Sequence, residues 1–287
     1  MERQTRQALF LLLPFLIFVT ILMAYPLAYS AWLTLNDIEL TDLKPTFVGL
    51  GNWLSLGSDP VFITSTINTV TFLLLEVCLS IPASLALALL VNENFKGRSV
   101  LRASLLLPWA TPPIVMAVMF DFIFSDTFGI VNYVIQTLRI VSSPVEFFAN
   151  PHLALIMLVL IAAWKDIPLF AFIFLSALQN IPTEVVDSAK VYSAGTFARF
   201  RHVTFPYLKP TMAVNSILAA ILSVQVFDIV IGITNGGPGY STYMLYFLAY
   251  LTSFPFLHLG YGATIAYVVA IIAVVFAFAV LRAYKVE

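Results

Sequence analysis

Charged residues are scarce in this chain, and their scarcity excludes most soluble functions. Only 10% of the 287 residues are Asp, Glu, Lys or Arg, whereas 61% are hydrophobic. Soluble domains average about 25% charged and about 45–50% apolar residues. So few charges cannot cover a globule of this length, and much of the surface must therefore face lipid. A soluble enzyme, a nucleic-acid-binding protein with a basic face and a disordered chain are all disfavoured.

Cysteine is almost absent as well. Cys78, inside an apolar run, is the only one, which excludes an internal disulfide framework and a multi-cysteine metal site. His152, His202 and His258 are far apart along the chain, and neither a Gly-x-Ser-x-Gly nor a His-Glu-x-x-His motif occurs. We therefore expect no metal site and no catalytic residue in this chain, and a membrane enzyme is an alternative without support from any motif.

Long apolar runs are what the chain has instead. A membrane-spanning helix needs about 20 predominantly apolar residues. Several runs of that kind predict an all-α membrane protein with six transmembrane helices in a single domain over residues 1–287. The predicted spans are residues 8–35, 61–91, 100–124, 153–178, 211–234 and 260–281. A cleaved signal peptide is an alternative for the first run, but that run exceeds the roughly 7–15 residues of a signal-peptide core.

Lys and Arg predict the orientation, because cytoplasmic loops of membrane proteins are enriched in them. With the N-terminus in the cytoplasm, the external loops carry only Lys44 and Arg139, and Lys165 lies within a span. Every other basic residue is then cytoplasmic: Arg3, Arg6, Lys96, Arg98, Arg102, Lys190, Arg199, Arg201, Lys209, Arg282 and Lys285. Six spans return the C-terminus to the same side, so both termini are expected in the cytoplasm.

The predicted cytoplasmic loop, residues 179–210, has the pattern of two short amphipathic helices. The first begins after Pro182 with Thr183 as its cap and carries Glu184 and Asp187 in its first turn, where acids suit the helix dipole. The second covers Thr196–Val203, and the side chains expected on its surface are Phe197, Arg199 and Phe200. Such a pair favours docking of a soluble partner. Its alternative is a helix pair lying on lipid headgroups.

The same loop resembles the Glu-Ala-Ala loop of permease subunits in ATP-binding-cassette (ABC) importers. In that family Glu-Ala-Ala is followed by a Gly and then by Ile-x-Leu-Pro at fixed spacing. Pro206 sets the register, so Val203 and Phe205 take the Ile and Leu positions. Asp187-Ser188-Ala189 then takes the Glu-Ala-Ala position, and Ser193 replaces the Gly. The chain keeps an acid at Asp187, and we assign the turn to Gly195.

Further matches extend the resemblance over nearly the whole chain and narrow it to carbohydrate importers of the maltose and glycerol-phosphate type. They resemble the first of the two permeases in such systems. The matching segments are Ala24-Tyr25-Pro26, residues 47–53, Leu107-Pro108-Trp109-Ala110, Trp164 with Pro168, residues 177–182, Phe227-Asp228-Ile229-Val230 and residues 234–238.

The resemblance implies a type I ABC importer permease fold in a bacterial or archaeal cell membrane. It implies a second, homologous permease, two ATPase subunits that bind ATP and Mg, an extracellular sugar-binding protein and a sugar substrate. No cofactor is expected in this chain, since Gly236–Thr242 lacks the lysine of a phosphate-binding loop. The residues assigned to ATPase docking are Glu184, Asp187, Ser188, Ala189, Tyr192, Ser193, Gly195, Phe197, Arg199, Phe200 and Pro206.

Polar residues within the predicted spans are the candidates for the substrate path, because charges in a membrane are costly and usually functional. The resemblance places Ala162, Lys165, Asp166 and Leu169 on the stretch of the fourth span that lines a sugar site, and Ser223 on the fifth. Glu76, Asp121 and Asp228 are weaker candidates. Lys165 and Asp166 point about 100° apart on a helix and need not pair; Glu76 is a possible partner for Lys165. A structural role for Lys165 and Asp166 in helix packing is the alternative.

A second hypothesis is an ion-coupled secondary transporter. In that case Glu76, Asp121 and Asp166 would be the coupling groups. A self-sufficient carrier has no need of a docking loop, so the 179–210 pattern favours the ATP-driven importer.

Overall fold

The computed structural model describes residues 11–15, 17–42, 44–185 and 195–284, with the side chain of Thr196 excepted. Those residues form helices almost throughout, and the expectation of an all-α membrane protein is confirmed. The helices are α1 (Leu11–Leu33), α2 (Gly51–Leu56), α3 (Pro60–Asn92), α4 (Arg98–Ala110), α5 (Pro113–Phe124), α6 (Ile130–Thr137), α7 (Pro151–Gln179), α8 (Thr196–Val224), α9 (Leu245–Ser253) and α10 (Leu259–Tyr284). Within them, Thr20–Ala24 and Phe200–Thr204 are π-helical turns.

Within the described part of the chain, five helices are long and apolar enough to cross a membrane: α1, α3, α7, α8 and α10. Their surfaces expose large apolar side chains, such as Phe278, which is 68% exposed on α10. Backbone polar groups in lipid must bond within the segment, so long helices are the expected spanning element. The third predicted span, residues 100–124, adds a sixth crossing only if α4 and α5 are counted together.

The third predicted span, residues 100–124, is not one straight helix. It divides into α4 and α5, whose axes differ by 96°. Thr111 and Pro112 between them have extended backbone, with ψ of 127° and 132°. A proline disfavours helical geometry in the residue before it, and consecutive Pro112 and Pro113 therefore stop the helix at Ala110. The hydropathy of the run carries no information about this break.

The fifth predicted span, residues 211–234, begins earlier and ends earlier than expected. Thr196–Arg199, Phe200–Thr204 and Phe205–Val224 form one continuous helix. The prediction of a separate short helix over Thr196–Val203 is therefore wrong. Pro206 is tolerated because it lies next to a π-helical turn, where the usual hydrogen-bond ladder is already altered. The helix ends at Val224, and a separate π-helical segment, Val230–Thr234, follows it.

The described residues up to Phe62, together with Leu248–Val268, form one compact unit. It holds a small antiparallel hairpin, β1 (Asn36–Asp37) with β2 (Thr46–Phe47), in which Asn36 faces Phe47. The Asn52 amide donates to the carbonyls of Thr34 and Asn36 at 3.0 Å. Asp59 accepts at 2.8 Å from the Tyr261 hydroxyl and from the backbone N–H of Val61, so it caps the start of α3.

Residues from Ile63 to Phe247, with Val269 onward, form the second unit. Its apolar core lies among α3, α7 and α8, where the side chains of Phe170, Phe174 and Leu208 are fully buried. Small residues such as Ala171 and Ala219 lie in the same core and let the helix backbones approach closely. The short helix α6 lies in the segment between α5 and α7.

Candidate functional site

A cavity of about 170 Å³ lies within the second unit, at the level where α8 ends. Its walls come from α3, α5, α7 and α8 and from the non-helical residues that follow α8. The apolar lining residues include Phe72, Met116 and Phe227. Most of the polar lining residues are ones that the sequence analysis selected as candidates for the substrate path. These polar residues are Glu76, Lys165, Asp166, Ser223, Gln225 and Asp228.

Glu76 is the most deeply buried acid of the cavity, with 1% of its surface exposed. Its Oε1 accepts a hydrogen bond from Ser80 at 2.6 Å, one turn along the same helix. Its Oε2 accepts from the Ser223 hydroxyl on α8 at 3.2 Å. Ser223 Oγ also lies 2.8 Å from the carbonyl of Ala219. The carboxyl group of Glu76 therefore joins α3 to α8 at the cavity wall.

Lys165 and Asp166 form an ion pair with 3.1 Å between Nζ and Oδ1. Their Cα–Cβ bonds diverge along α7, but the flexible stem of lysine lets the ammonium group reach back to its neighbour. The suggested pairing of Glu76 with Lys165 is wrong in this structure, since Glu76 bonds to two serines and Lys165 to Asp166. The pair is only partly exposed to solvent: the side chain of Lys165 is 18% exposed and that of Asp166 is 9% exposed.

The segment after α8 forms the remaining wall. Asp228 is exposed there and lines the cavity. The turn at Gly236-Gly237 is held by Thr242, whose hydroxyl donates to the Gly237 carbonyl at 2.7 Å. The π-helical segment Val230–Thr234 comes very close to α5. A Cβ on Gly232 would stand 2.7 Å from Cβ of Ala117, so only glycine fits at that crossing.

The structure brings together six of the eight residues predicted for the substrate path. Ala162, Lys165, Asp166, Ser223, Glu76 and Asp228 all line this cavity. Leu169 does not, and lines an apolar groove between α7 and α8 instead. Asp121 is exposed on α5 and is not among the lining residues. Leu169 is three residues beyond Asp166, so it lies nearly one turn further along α7.

Gln225, Phe72 and Met116 are lining residues that sequence reasoning missed. Phe72 and Met116 resemble any other apolar residue of a span, so the sequence holds no signal for them. Gln225 is different, because an amide near the end of an apolar run is uncommon. It could have been found by the argument from polar residues in apolar runs that selected Glu76.

Another groove lies at the start of α8, among the residues predicted to dock an ATPase. Phe197, Phe200 and Pro206 line it, and it also includes Arg201, Phe205 and Lys209. Phe197 is 75% exposed, although it is a large apolar side chain. Glu184 and Gly195 are exposed and Arg199 is half-buried. The remaining predicted docking residues lie outside the described part of the chain: Asp187, Ser188, Ala189, Tyr192 and Ser193.

Comparison with known proteins gives concordant matches. Residues 80–286 match the family described as binding-protein-dependent transport system inner membrane component. The trehalose/maltose transport system permease protein MalF of Thermococcus litoralis is 35% identical over 249 residues, which are 86% of this chain and 83% of that protein. The sulfoquinovosyl glycerol transport system permease protein SmoG of Agrobacterium fabrum is 35% identical over 91% of this chain and 84% of its own length.

A solved structure shows the same fold. The crystal structure of a bacterial ABC transporter involved in the import of the acidic polysaccharide alginate contains a chain that superposes with a TM-score of 0.83. The match covers 99% of this chain and 96% of that chain at 20% sequence identity. This match in fold agrees with the predicted six-span architecture and with the family resemblance drawn from the loop 179–210.

Proposed function

The chain belongs to the family of binding-protein-dependent inner-membrane transport components, and on that premise we propose that it is the permease subunit of an ATP-driven sugar importer. The observation that carries the proposal is the polar cavity among α3, α5, α7 and α8. Three of these helices, α3, α7 and α8, are each long and apolar enough to span a membrane. The relatives named above transport maltose, trehalose or sulfoquinovosyl glycerol. No comparison supports the alternative of an ion-coupled secondary transporter.

The cavity suits a sugar, because it combines apolar and hydrogen-bonding walls. Sugar ring faces pack against apolar side chains such as Phe72 and Phe227, while hydroxyl groups bond to Glu76, Ser223 or Asp228. Ligand pockets usually measure about 300–1,000 Å³, whereas this one has about 170 Å³. A second, homologous permease would supply the other wall, and the translocation path would run between the two chains.

ATP is hydrolysed in this proposal by two separate ATPase subunits, which hold ATP and Mg. They would dock on the groove of Phe197, Phe200 and Pro206 and on the preceding loop residues, with both termini of the chain on the same, cytoplasmic side. The groove lies at the start of α8, and α8 ends at Val224, directly after Ser223 on the cavity wall. A displacement at the docking groove would thus reach the cavity through one continuous helix.

An extracellular binding protein would deliver the sugar from the opposite side. Uptake into liposomes tests the whole proposal. The chain reconstituted with its second permease, the ATPases and the binding protein should accumulate sugar only when ATP is inside. The chain alone should show no uptake under a proton or sodium gradient. Gradient-driven uptake by the chain alone would contradict the proposal, and an ATPase variant that cannot hydrolyse ATP is the control.

A further inference from the structure

We propose that the cavity beside Glu76 selects an uncharged carbohydrate and rejects anionic sugars. The inference rests on the proposed function and adds the substrate class. Membership in the family leaves this point open, because relatives with equal identity are named for neutral disaccharides and for a sulfonated sugar. The charge distribution on the wall that this chain contributes decides between the two.

Acids outnumber bases on that wall. Glu76, Asp166 and Asp228 line the cavity, and among the described residues Lys165 is the only cation that does so. Lys165 is already engaged, since its ammonium lies 3.1 Å from the carboxylate of Asp166. A phosphate, sulfonate or uronate group would have to share that ammonium with Asp166. Its negative charge would then lie beside the Asp166 carboxylate, whose side chain is only 9% exposed.

The hydrogen bonds of the cavity wall also favour an uncharged ligand. Both oxygens of Glu76 act as acceptors, toward Ser80 and Ser223. Ser223 carries a single hydroxyl proton, and the carboxyl of Glu76 and the carbonyl of Ala219 both compete for it. The carboxyl oxygens of Glu76, Asp166 and Asp228 outnumber the donors on this wall, which are the Gln225 amide and the Lys165 N–H groups beyond the one that faces Asp166. Sugar hydroxyls can donate to acceptors, whereas an anionic group can only accept and needs several donors at once.

Burial makes the discrimination strong. A charge near the middle of a membrane protein keeps its energy low only when it is paired or in contact with water. An anion in this cavity would lose hydration and meet two further carboxyl groups, those of Glu76 and Asp228. An uncharged sugar loses only hydroxyl hydration, and the same acceptors replace those hydrogen bonds. The cavity wall thus separates the two classes by charge rather than by shape.

Thiol reagents of opposite charge measure this property directly. In the assembled importer, Cys78, the only cysteine of this chain, is replaced by alanine, and Gln225→Cys or Leu222→Cys provides a single thiol in the cavity wall. The modification rate is measured with a trimethylammonium and with a sulfonate methanethiosulfonate, by the mass of this chain. Each rate is divided by that of the same reagent with a free thiol in solution.

We expect the cationic reagent to react at least about tenfold faster than the anionic one at low salt, because an acidic cleft concentrates cations. Glu76→Gln and Asp228→Asn should each lower the ratio, and together they should bring it close to one. Asp121→Asn is the matched control. It removes one negative charge from α5, outside the cavity lining, and should leave the ratio unchanged.

A ratio near one, or failure of both thiols to react with either reagent, overturns the inference, because an acidic and water-filled cavity is then absent. Uptake gives a second readout with maltose, trehalose and lactose against trehalose 6-phosphate and sn-glycerol 3-phosphate. Comparable uptake of either phosphate also overturns it. If the importer takes up a sugar with ATP but the two modification rates are nearly equal, only the inference about charge is contradicted. If the cationic reagent reacts faster but no sugar of the panel is taken up with ATP, only the proposed function is contradicted.

Discussion

The Glu76 carboxyl group on α3 accepts a hydrogen bond from the Ser223 hydroxyl on α8 at 3.2 Å, across 147 positions of sequence. This bond joins two helices at the wall of the candidate sugar cavity. It also lies at the far end of the helix that begins beside the proposed ATPase groove. Glu76 and Ser223 thus connect the two surfaces on which the proposed function depends.

The bond between Glu76 and Ser223 should stabilise the fold by a measurable amount. Hydrogen bonds between helices in a membrane protein contribute about 0.6 kcal/mol on average and up to about 1.7 kcal/mol. We expect a coupling free energy in this range from the double-mutant cycle of Glu76→Ala and Ser223→Ala, measured by unfolding in mixed detergent micelles. The cycle of Glu76→Ala with Asn132→Ala is the control, since no hydrogen bond joins that pair. Equal coupling in both cycles would contradict the prediction.

Gly232 should tolerate no side chain while Ala117 remains opposite. A Cβ at Gly232 would lie 2.7 Å from Cβ of Ala117 and 3.0 Å from Cδ1 of Ile114. Gly232→Ala should lower the free energy of unfolding by about 1–3 kcal/mol, the usual cost of overpacking. Ala117→Gly in the same chain should recover most of the loss. Gly57→Ala, where the nearest atom is 3.7 Å away, should cost far less. A failure of Ala117→Gly to rescue would locate the strain elsewhere.

Asp59 should matter more for stability than its partner Tyr261. Its Oδ1 caps the start of α3 through the N–H groups of Val61 and Phe62, and its Oδ2 accepts from the Tyr261 hydroxyl at 2.8 Å. Loss of a helix cap costs about 0.5–2 kcal/mol. Asp59→Ala should therefore destabilise the chain more than Tyr261→Phe, and Asp59→Asn should keep most of the cap. Equal losses for Asp59→Ala and Tyr261→Phe would contradict a capping role.

Phe197 should bind a partner rather than stabilise the fold. Its side chain is 75% exposed in the groove at the start of α8, so truncation removes little internal packing. We expect Phe197→Ala to reduce co-purification of the ATPase subunits several-fold without a change in the thermal stability of the chain. Phe278→Ala is the control, because Phe278 is 68% exposed on α10 and lies outside the groove. Equal ATPase recovery from both variants would contradict the proposed docking.

Charged residues within apolar runs predicted much of the candidate site. Glu76, Lys165 and Asp166 stand out because charged groups in apolar runs are costly, and the family resemblance added Ser223. All four line one cavity. Their partners were less predictable. Whether Lys165 meets Glu76 or Asp166 depends on the rotation of α3 and α7 about their axes, and packing of apolar side chains sets that rotation.

Long apolar runs predicted the helices, whereas the breaks between them escaped hydropathy. Pro112-Pro113 bends the third run by 96°, and the sequence carries that signal in its prolines. The continuity of α8 across Phe205-Pro206 is the opposite case. There a proline occurs without a break, because a π-helical turn precedes it. Proline alone therefore does not locate the end of a helix in this chain.

Blocking the cavity tests the central claim most directly, namely that the path of the sugar runs along Glu76 and Ser223. Ala162→Cys in the Cys78→Ala chain places a thiol in the cavity wall, and Ser176→Cys on the same helix places one outside it. After treatment of the assembled importer with a bulky maleimide, ATP-dependent uptake should fall to background only for Ala162→Cys, and excess transported sugar should slow that loss. Unchanged uptake by fully modified Ala162→Cys importer would contradict the account.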